Sequence, residues 1–188
     1  MFCLCSIDQA VATEEDTVRV PKYTWAGVPC SVVAVADSKG AVHTADPHGF
    51  DLVALLAHKH GGASVHAYEG QGAVQAVDAI EALTAVKDFD ILFEASPVNL
   101  DTGGVGLAGV KAALAKGKDA VLANKAPLVL EYAELHAAAA AAKCRLEFSA
   151  TVCGGLPVSS VVHAGACLRG RLCNPLASVC TRAANSAG

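Results

Sequence analysis

From residue 90 onward the chain repeats one unit: a short apolar run, then a longer stretch with apolar residues at helical spacing. Ile91-Leu-Phe-Glu-Ala95 is followed by Leu107, Val110 and Leu114, with Gly117 just past them. Ala120-Val-Leu-Ala123 is followed by Leu128, Tyr132 and Leu135, extended by the six alanines 137–142; Arg145-Leu-Glu-Phe148 comes next. Apolar runs that do not alternate are strands buried on both faces, and stripes three or four apart are helices with one face in a core. Strands alternating with helices imply an α/β fold, a doubly wound parallel sheet.

Upstream the pattern is less regular. Ser31-Val-Val-Ala-Val-Ala36 has the same non-alternating character and predicts another buried strand, ending in a turn at Asp37-Ser-Lys-Gly40. Asp51 is placed to cap a helix through Lys59, stopped by Gly61-Gly62. A second helix is predicted over 73–86, where Gln75, Asp78 and Glu81 keep one face polar. Residues 1–30 show no period and are expected to be irregular, apart from a short strand at Thr17-Val-Arg-Val20 stopped by Pro21. Pro157 is placed to open a helix to Leu168, and the tail from Arg169 has no period. The expected organisation is an irregular segment over 1–30, a sheet domain over 31–168 and a loose tail over 169–188.

Charge narrows the partners. Fourteen Lys and Arg stand against eighteen Asp and Glu, a net charge of −4, so no basic field exists to draw nucleic acid or anionic lipid. The stretch Phe148–Leu168 lacks charge and is long enough to span a bilayer. Gly154, Gly155, Pro157, Ser159, Ser160 and His163 interrupt it, so no membrane span is expected. The eight cysteines contain no CxxC pair, which points to reduced thiols in an intracellular protein, with a zinc site as the minor alternative. No His pair has metal-ligand spacing, and His58 and His60 are expected to be exposed.

Four sites carry candidate chemistry. Gly104-Val-Gly106-Leu-Ala-Gly109 is a literal GxGxxG, but the preceding strand ends near Ala95 and no carboxylate ends the next one. A phosphate cradle needs a tight strand-to-helix turn and an acidic residue some 20 positions on; a loop and helix start fits better. Asp37 ends a buried strand, where a carboxylate binds a ribose hydroxyl in doubly wound folds; the alternative is a turn Asp bonding its own backbone. Lys125 ends another strand in Ala123-Asn-Lys-Ala-Pro127, where it either polarises a carbonyl or is a solvated loop lysine. Glu94, Ser96 and Asn99 sit at the neighbouring strand end, putting two polar clusters on one sheet edge. Finally, Ser149-Ala-Thr-Val-Cys-Gly-Gly-Leu-Pro157 permits a sharp turn whose backbone oxygens suit a hard cation.

Taken together, FEASPVNLDTGGVGL (Phe93–Leu107), GKDAVLANKAPL (Gly117–Leu128), FSATVCGGLPV (Phe148–Val158) and VVAVADSKGA (Val32–Ala41) resemble homoserine dehydrogenase over about residues 31–160. The resemblance implies a Rossmann-like NAD(P)-binding domain and hydride exchange between NADP or NAD and homoserine or aspartate semialdehyde, in threonine and methionine biosynthesis. It implies that Ala95 and Ser96 lie by the nicotinamide end of the cofactor, and that Lys125 stands beside cofactor and substrate and assists catalysis. It implies a sodium ion on backbone oxygens of Val152, Gly154 and Leu156, where Ser149 holds a position often taken by a glutamate. It is compatible with a homo-oligomer and with a cytoplasmic or plastid location. Two departures stand out. The family opens with a central strand and a GxGxxG turn, whereas residues 1–30 contain only Gly27; it also continues into a substrate domain for which 169–188 show no counterpart. An incomplete sheet is therefore expected, with 17–20 as the substitute for the central strand. The rival reading is a catalytically inactive fragment acting through subunit interaction.

Overall fold

The structure is a computed structural model that describes residues 2–7, 23–25 and 28–152. The chain divides into two units, Met1–Phe148 and Ser149–Gly188. In the second, the described residues form a single 3-10 turn, Ser149–Thr151, followed by Val152.

Among its described residues the first unit has eight strands: β1 (Phe2–Ile7), β2 (Tyr23–Trp25), β3 (Val28–Asp37), β4 (Gly40–Thr44), β5 (Ala73–Ala76), β6 (Ile91–Glu94), β7 (Asp119–Leu122) and β8 (Leu146–Glu147). Four α-helices of the described residues pack on them: α1 (Leu52–His60), α2 (Ala79–Ala85), α3 (Gly104–Ala115) and α4 (Ala126–Ala142). The strands lie in the order β5-β4-β3-β1-β6-β7-β8, with β2 paired to the first residues of β3.

β6, β7 and β8 are mutually parallel. β1 pairs antiparallel with both β3 and β6, so β3 runs in the same direction as β6. The strands predicted near 31–36, 91–95, 120–123 and 145–148 therefore all point one way, and their carboxyl ends share one edge. The sheet itself is mixed rather than purely parallel, because β1, β4 and β5 bring antiparallel pairings.

The substitute for a central strand is Phe2–Ile7, not 17–20, which lies outside the described residues. Its register runs Phe2↔Ala36 to Ile7↔Cys30 on one side and Phe2↔Glu94 to Cys5↔Ile91 on the other, with a slip between Leu4 and Cys5 along β3. Without it, β3 and β6 would each present a row of buried, unpaired N–H and C=O groups, an expensive condition. The expectation of an irregular 1–30 segment is thus corrected for 2–7, 23–25 and 28–30, which are strand. Pairing partners, not local period, decide these strands.

The predicted helix over 73–86 splits in two. Ala73-Val-Gln-Ala76 pairs with Ala41–Thr44 as β5, and α2 starts only after Asp78, whose carboxylate accepts from Ile80 N and Glu81 N at 2.8 Å each. A strand partner and an N-cap outweigh a polar stripe that fits a helix. β4 was not predicted; Gly40, at φ 141°, makes the tight hairpin that reverses the chain after β3. α1 forms as expected, with Asp51 accepting from Val53 N at 3.0 Å and Ala54 N at 3.1 Å. His60 is exposed, but His58 is half-buried, with Nε2 2.8 Å from Ser64 O.

Two apolar clusters hold these elements. The larger, between the sheet and α2, α3 and α4, centres on Leu83, Phe89, Leu92, Val110, Leu114, Leu122 and Leu135. Ala41, Ala113 and Ala120 are fully buried there, so helices and sheet approach closely. The smaller cluster comprises Val35, Val42, Phe50, Leu55, Val65 and Tyr68, beneath α1. Among the described residues no helix is long and apolar enough to cross a membrane.

Because β1 serves two neighbours, a proline within it removes a ladder donor from the middle of the sheet. Leu4→Pro is expected to lower unfolding free energy by at least about 2 kcal/mol, the scale of one orphaned buried group plus backbone strain. A urea midpoint unchanged from wild type would show that β1 does not bear on the sheet.

Candidate active site

The carboxyl edge of the parallel strands gathers the candidate residues. β6 ends at Glu94 and continues into Ala95 and Ser96; β7 ends at Leu122 and continues through Ala123 and Asn124 to Lys125. The two strand ends are in register, Glu94 opposite Leu122, and Ala123 N donates to Glu94 O at 2.8 Å. Lys125 and Ser96, predicted for the same edge, are therefore both there.

Below this edge lies a buried polar knot. Glu94 is 1% exposed, Asn124 2% and Ser96 8%. Glu94 Oε1 accepts from Ser96 N at 2.7 Å and from the Ser96 hydroxyl, and Asn124 Nδ2 lies 3.4 Å from it and 3.3 Å from Ser96 Oγ. Asn124 Oδ1 in turn accepts from Ala126 N at 2.9 Å. The knot ties the ends of β6 and β7 to the first turn of α4. Sequence reasoning noted Glu94 only as one of a polar cluster and gave Asn124 no role. The available signal was a carboxylate inside an otherwise apolar strand, ILFE, at a position expected to face a core.

Above the knot, Ala95 and Lys125 are exposed. Lys125 occupies the N-cap position of α4 and makes no side-chain capping bond. Among the described residues no carboxylate pairs with its ammonium. An unpaired cation at a helix N-terminus beside two strand ends suits an oxygen that gains negative charge.

The GxGxxG stretch is the loop and helix start anticipated. Asn99 Oδ1 accepts from Asp101 N and Thr102 N at 3.0 Å each, and Gly103 N donates to Asn99 O, so a separate turn stands between β6 and α3. Gly103 is left-handed at φ 74°. Gly106 is glycine for a packing reason: a Cβ there would lie 2.8 Å from Asn124 Nδ2, 3.0 Å from Glu94 Oε1 and 3.1 Å from Ser96 Oγ.

Asp37 shares this edge, at the end of β3. Its Oδ1 accepts from Lys39 N at 2.9 Å; its Oδ2 meets Lys59 Nζ at 2.7 Å and Val65 N at 3.0 Å. Burial pushes its carboxyl up, but the Lys59 ammonium and the two amides outweigh this and hold it below the ordinary aspartate value.

Val152 is exposed, and Gly154 and Leu156, the other expected sodium ligands, lie outside the described residues. The described residues contain no cluster of three or more His, Cys, Asp or Glu that could hold a metal.

At the ends of β6 and β7, Ala95 and Lys125 are exposed. A pyrophosphate needs a ring of amides after the central strand. Here that strand is reversed: Phe2 lies opposite Ala36 and Glu94, so β1 begins at this edge instead of ending there. Asp37 already satisfies three donors. The described residues do not fit the phosphate half of the cofactor.

No family model matches the chain. The homoserine dehydrogenase of Methanocaldococcus jannaschii is 32% identical over 127 residues, 68% of this chain and 36% of that protein. A solved structure of homoserine dehydrogenase from Thermoplasma acidophilum matches with a TM-score of 0.56 at 22% identity, over 71% of this chain and 38% of that one, a likeness of fold alone. A structure from Archaeoglobus fulgidus that bears the same name provisionally matches at 33% identity and a TM-score of 0.49, over 64% of this chain and 32% of that one. The chain thus spans about a third of the length of these proteins.

Asp37 gives a test of the edge. Its folded pKa lies below its unfolded one, so its contribution to stability is present above about pH 4 and is lost as pH falls through the folded value. Asp37→Asn is expected to remove that part of the acid-side slope, seen as a shallower fall of the urea midpoint below pH 4. An unchanged slope would detach Asp37 from Lys59 in solution. The shared segments, the parallel strands that carry them and the position of Lys125 at their edge make this chain the bearer of a homoserine dehydrogenase-like partial domain.

Proposed function

We propose that the chain supplies the nicotinamide-side part of a homoserine dehydrogenase site, the reaction being the NAD(P)-dependent interconversion of L-homoserine and L-aspartate 4-semialdehyde. The observation that carries this reading is Lys125: an exposed, unpaired cation at the start of α4, beside the adjacent strand end that holds Ala95 and Ser96. In this reading the nicotinamide coenzyme supplies or accepts the hydride when bound. Lys125 meets the substrate oxygen as it changes between carbonyl and alkoxide, where a preplaced cation stabilises charge best. Ala95 offers a small surface for a ring, and Ser96 is held in place by Glu94. Asp37 reaches a ribose hydroxyl only by giving up one of its present donors. A sodium ion on the carbonyl oxygens of Val152, Gly154 and Leu156 belongs to the same reading, with the Ser149 hydroxyl in place of a carboxylate.

The reversed β1 favours one further element: the chain acts with a second polypeptide or segment that brings the phosphate half. Alone, the 188-residue chain is expected to bind NADPH with a dissociation constant above about 1 mM and to oxidise no homoserine. Micromolar binding by calorimetry would contradict this.

The catalytic reading is tested by grafting residues 31–160 into a full-length homoserine dehydrogenase in place of its matching segment. Lys125→Ala in an active chimera is expected to lower turnover roughly 100-fold, the scale for one lost electrostatic stabiliser. Lys87→Ala, an exposed lysine on the loop before β6, is the control. Equal activities would make Lys125 a solvated loop lysine.

A further inference from the structure

The polar knot contains a group for which the proposed chemistry has no use. Glu94 is 1% exposed, no cation among the described residues pairs with it, and its Oε2 has no hydrogen-bond partner. For stability alone an apolar side chain of similar size would serve at least as well, since a buried carboxylate without a counter-ion is costly. Its value lies in the direction it imposes on its neighbours.

A carboxylate is an acceptor only, a hydroxyl is both donor and acceptor, and an amide has one end of each kind. Glu94 Oε1 takes the Ser96 proton, which leaves Ser96 Oγ as an acceptor. The Asn124 amide nitrogen then points at Ser96 Oγ and Glu94 Oε1, at 3.3 and 3.4 Å. With its nitrogen committed, Asn124 presents Oδ1 to Ala126 N at 2.9 Å. That bond is the side-chain cap on the first turn of α4, because Lys125, at the N-cap position, contributes none. Gly106 closes the knot from α3, at distances that leave no room for a methyl group.

We propose that Glu94 is a positioning residue: as the terminal acceptor of a directed relay through Ser96 and Asn124, it fixes the amide orientation of Asn124 and thereby the backbone of α4 at Lys125. Without the acceptor, the Ser96 hydroxyl is free to turn its proton toward Asn124, and the Ala126 N–H alone holds the amide in its present orientation. Turned over, it sets a donor against the Ala126 N–H and uncaps the helix at the residue that carries the cation. The proposal rests on the reading of Lys125 as the functional group of the site.

The test uses the full 188-residue chain and needs neither cofactor nor substrate. Glu94→Leu removes the acceptor; Glu94→Gln keeps a carbonyl oxygen where Oε1 stands. Amide hydrogen exchange is followed at Ala126 and, as reporters of global opening, at Val110 and Leu135. Glu94→Leu is expected to speed exchange at Ala126 at least tenfold beyond any change at Val110 and Leu135, and to shift the Lys125 and Ala126 amide resonances. Glu94→Gln is expected to return both to near wild-type values. Exchange at Ala126 that only keeps step with the core amides overturns the proposal, as does a Gln variant that behaves like Leu. If the Leu variant does not fold, Ser96→Ala breaks the middle link instead; a several-fold local acceleration at Ala126 is expected, and none refutes the relay. A chimera indifferent to Lys125→Ala would sink the catalytic reading while leaving this exchange result to be judged by itself.

Discussion

The pairing of β1 with β3 on one side and β6 on the other holds the first unit together. β3 and β6 run the same way, one strand-width apart, and each needs its inner row of amides and carbonyls satisfied. A strand can do this in either direction; antiparallel bonds are, per residue, slightly the better kind. Phe2–Ile7 does it in reverse, at the cost of one register slip. β3 in turn bridges the two apolar clusters, contributing Val33 to one and Val35 to the other.

That direction has a chemical consequence. In a doubly wound sheet, ligands sit at the carboxyl ends of parallel strands, and the phosphate turn follows the central strand. Reversal keeps the sheet intact but puts the carboxyl end of that strand at the opposite edge. β6 and β7 are untouched by this, because their mutual parallel register, Ile91↔Asp119 to Glu94↔Leu122, does not depend on how β1 runs. So the ends of β6 and β7 keep the arrangement of a doubly wound sheet, and the end of β1 does not.

The half of the fold after residue 90 was legible because its signals are local. Four-residue apolar runs and stripes at helical spacing are set by burial on the strand's or helix's own faces, and β6, α3, β7 and α4 fall within three residues of where the pattern puts them. The earlier half was not, because its strands owe their existence to distant partners: β1 to residues 30–36 and 91–94, β5 to 41–44. Nothing in Phe2–Ile7 or Ala73–Ala76 alone distinguishes a strand from its alternatives. At the site, Lys125 and Ser96 were legible from their places at strand ends. The roles of Glu94 and Asn124 were not, since they arise between residues 30 positions apart. Asp37 was readable only as two alternatives; in the structure its carboxylate bonds the Lys39 amide of its own turn and also reaches Lys59 and Val65.

The edge divides its polar residues by exposure, and the division has a physical basis. A cation meant to meet a ligand must stay accessible and unpaired, and its long side chain then carries considerable rotamer freedom. Precision must come from what lies underneath. Buried polar networks supply it because every mismatch of donor and acceptor is costly at low dielectric, so one arrangement wins. Glu94, Ser96 and Asn124 form such a network directly beneath Lys125, sealed by Gly106. The same glycine explains why a GxGxxG pattern here need not mean phosphate. Its middle glycine is required by the close approach of α3 to Asn124, Glu94 and Ser96, which lie where a Cβ would stand. The motif and the knot are therefore one feature, whose chemistry favours a rigid base for Lys125 over a cradle for pyrophosphate.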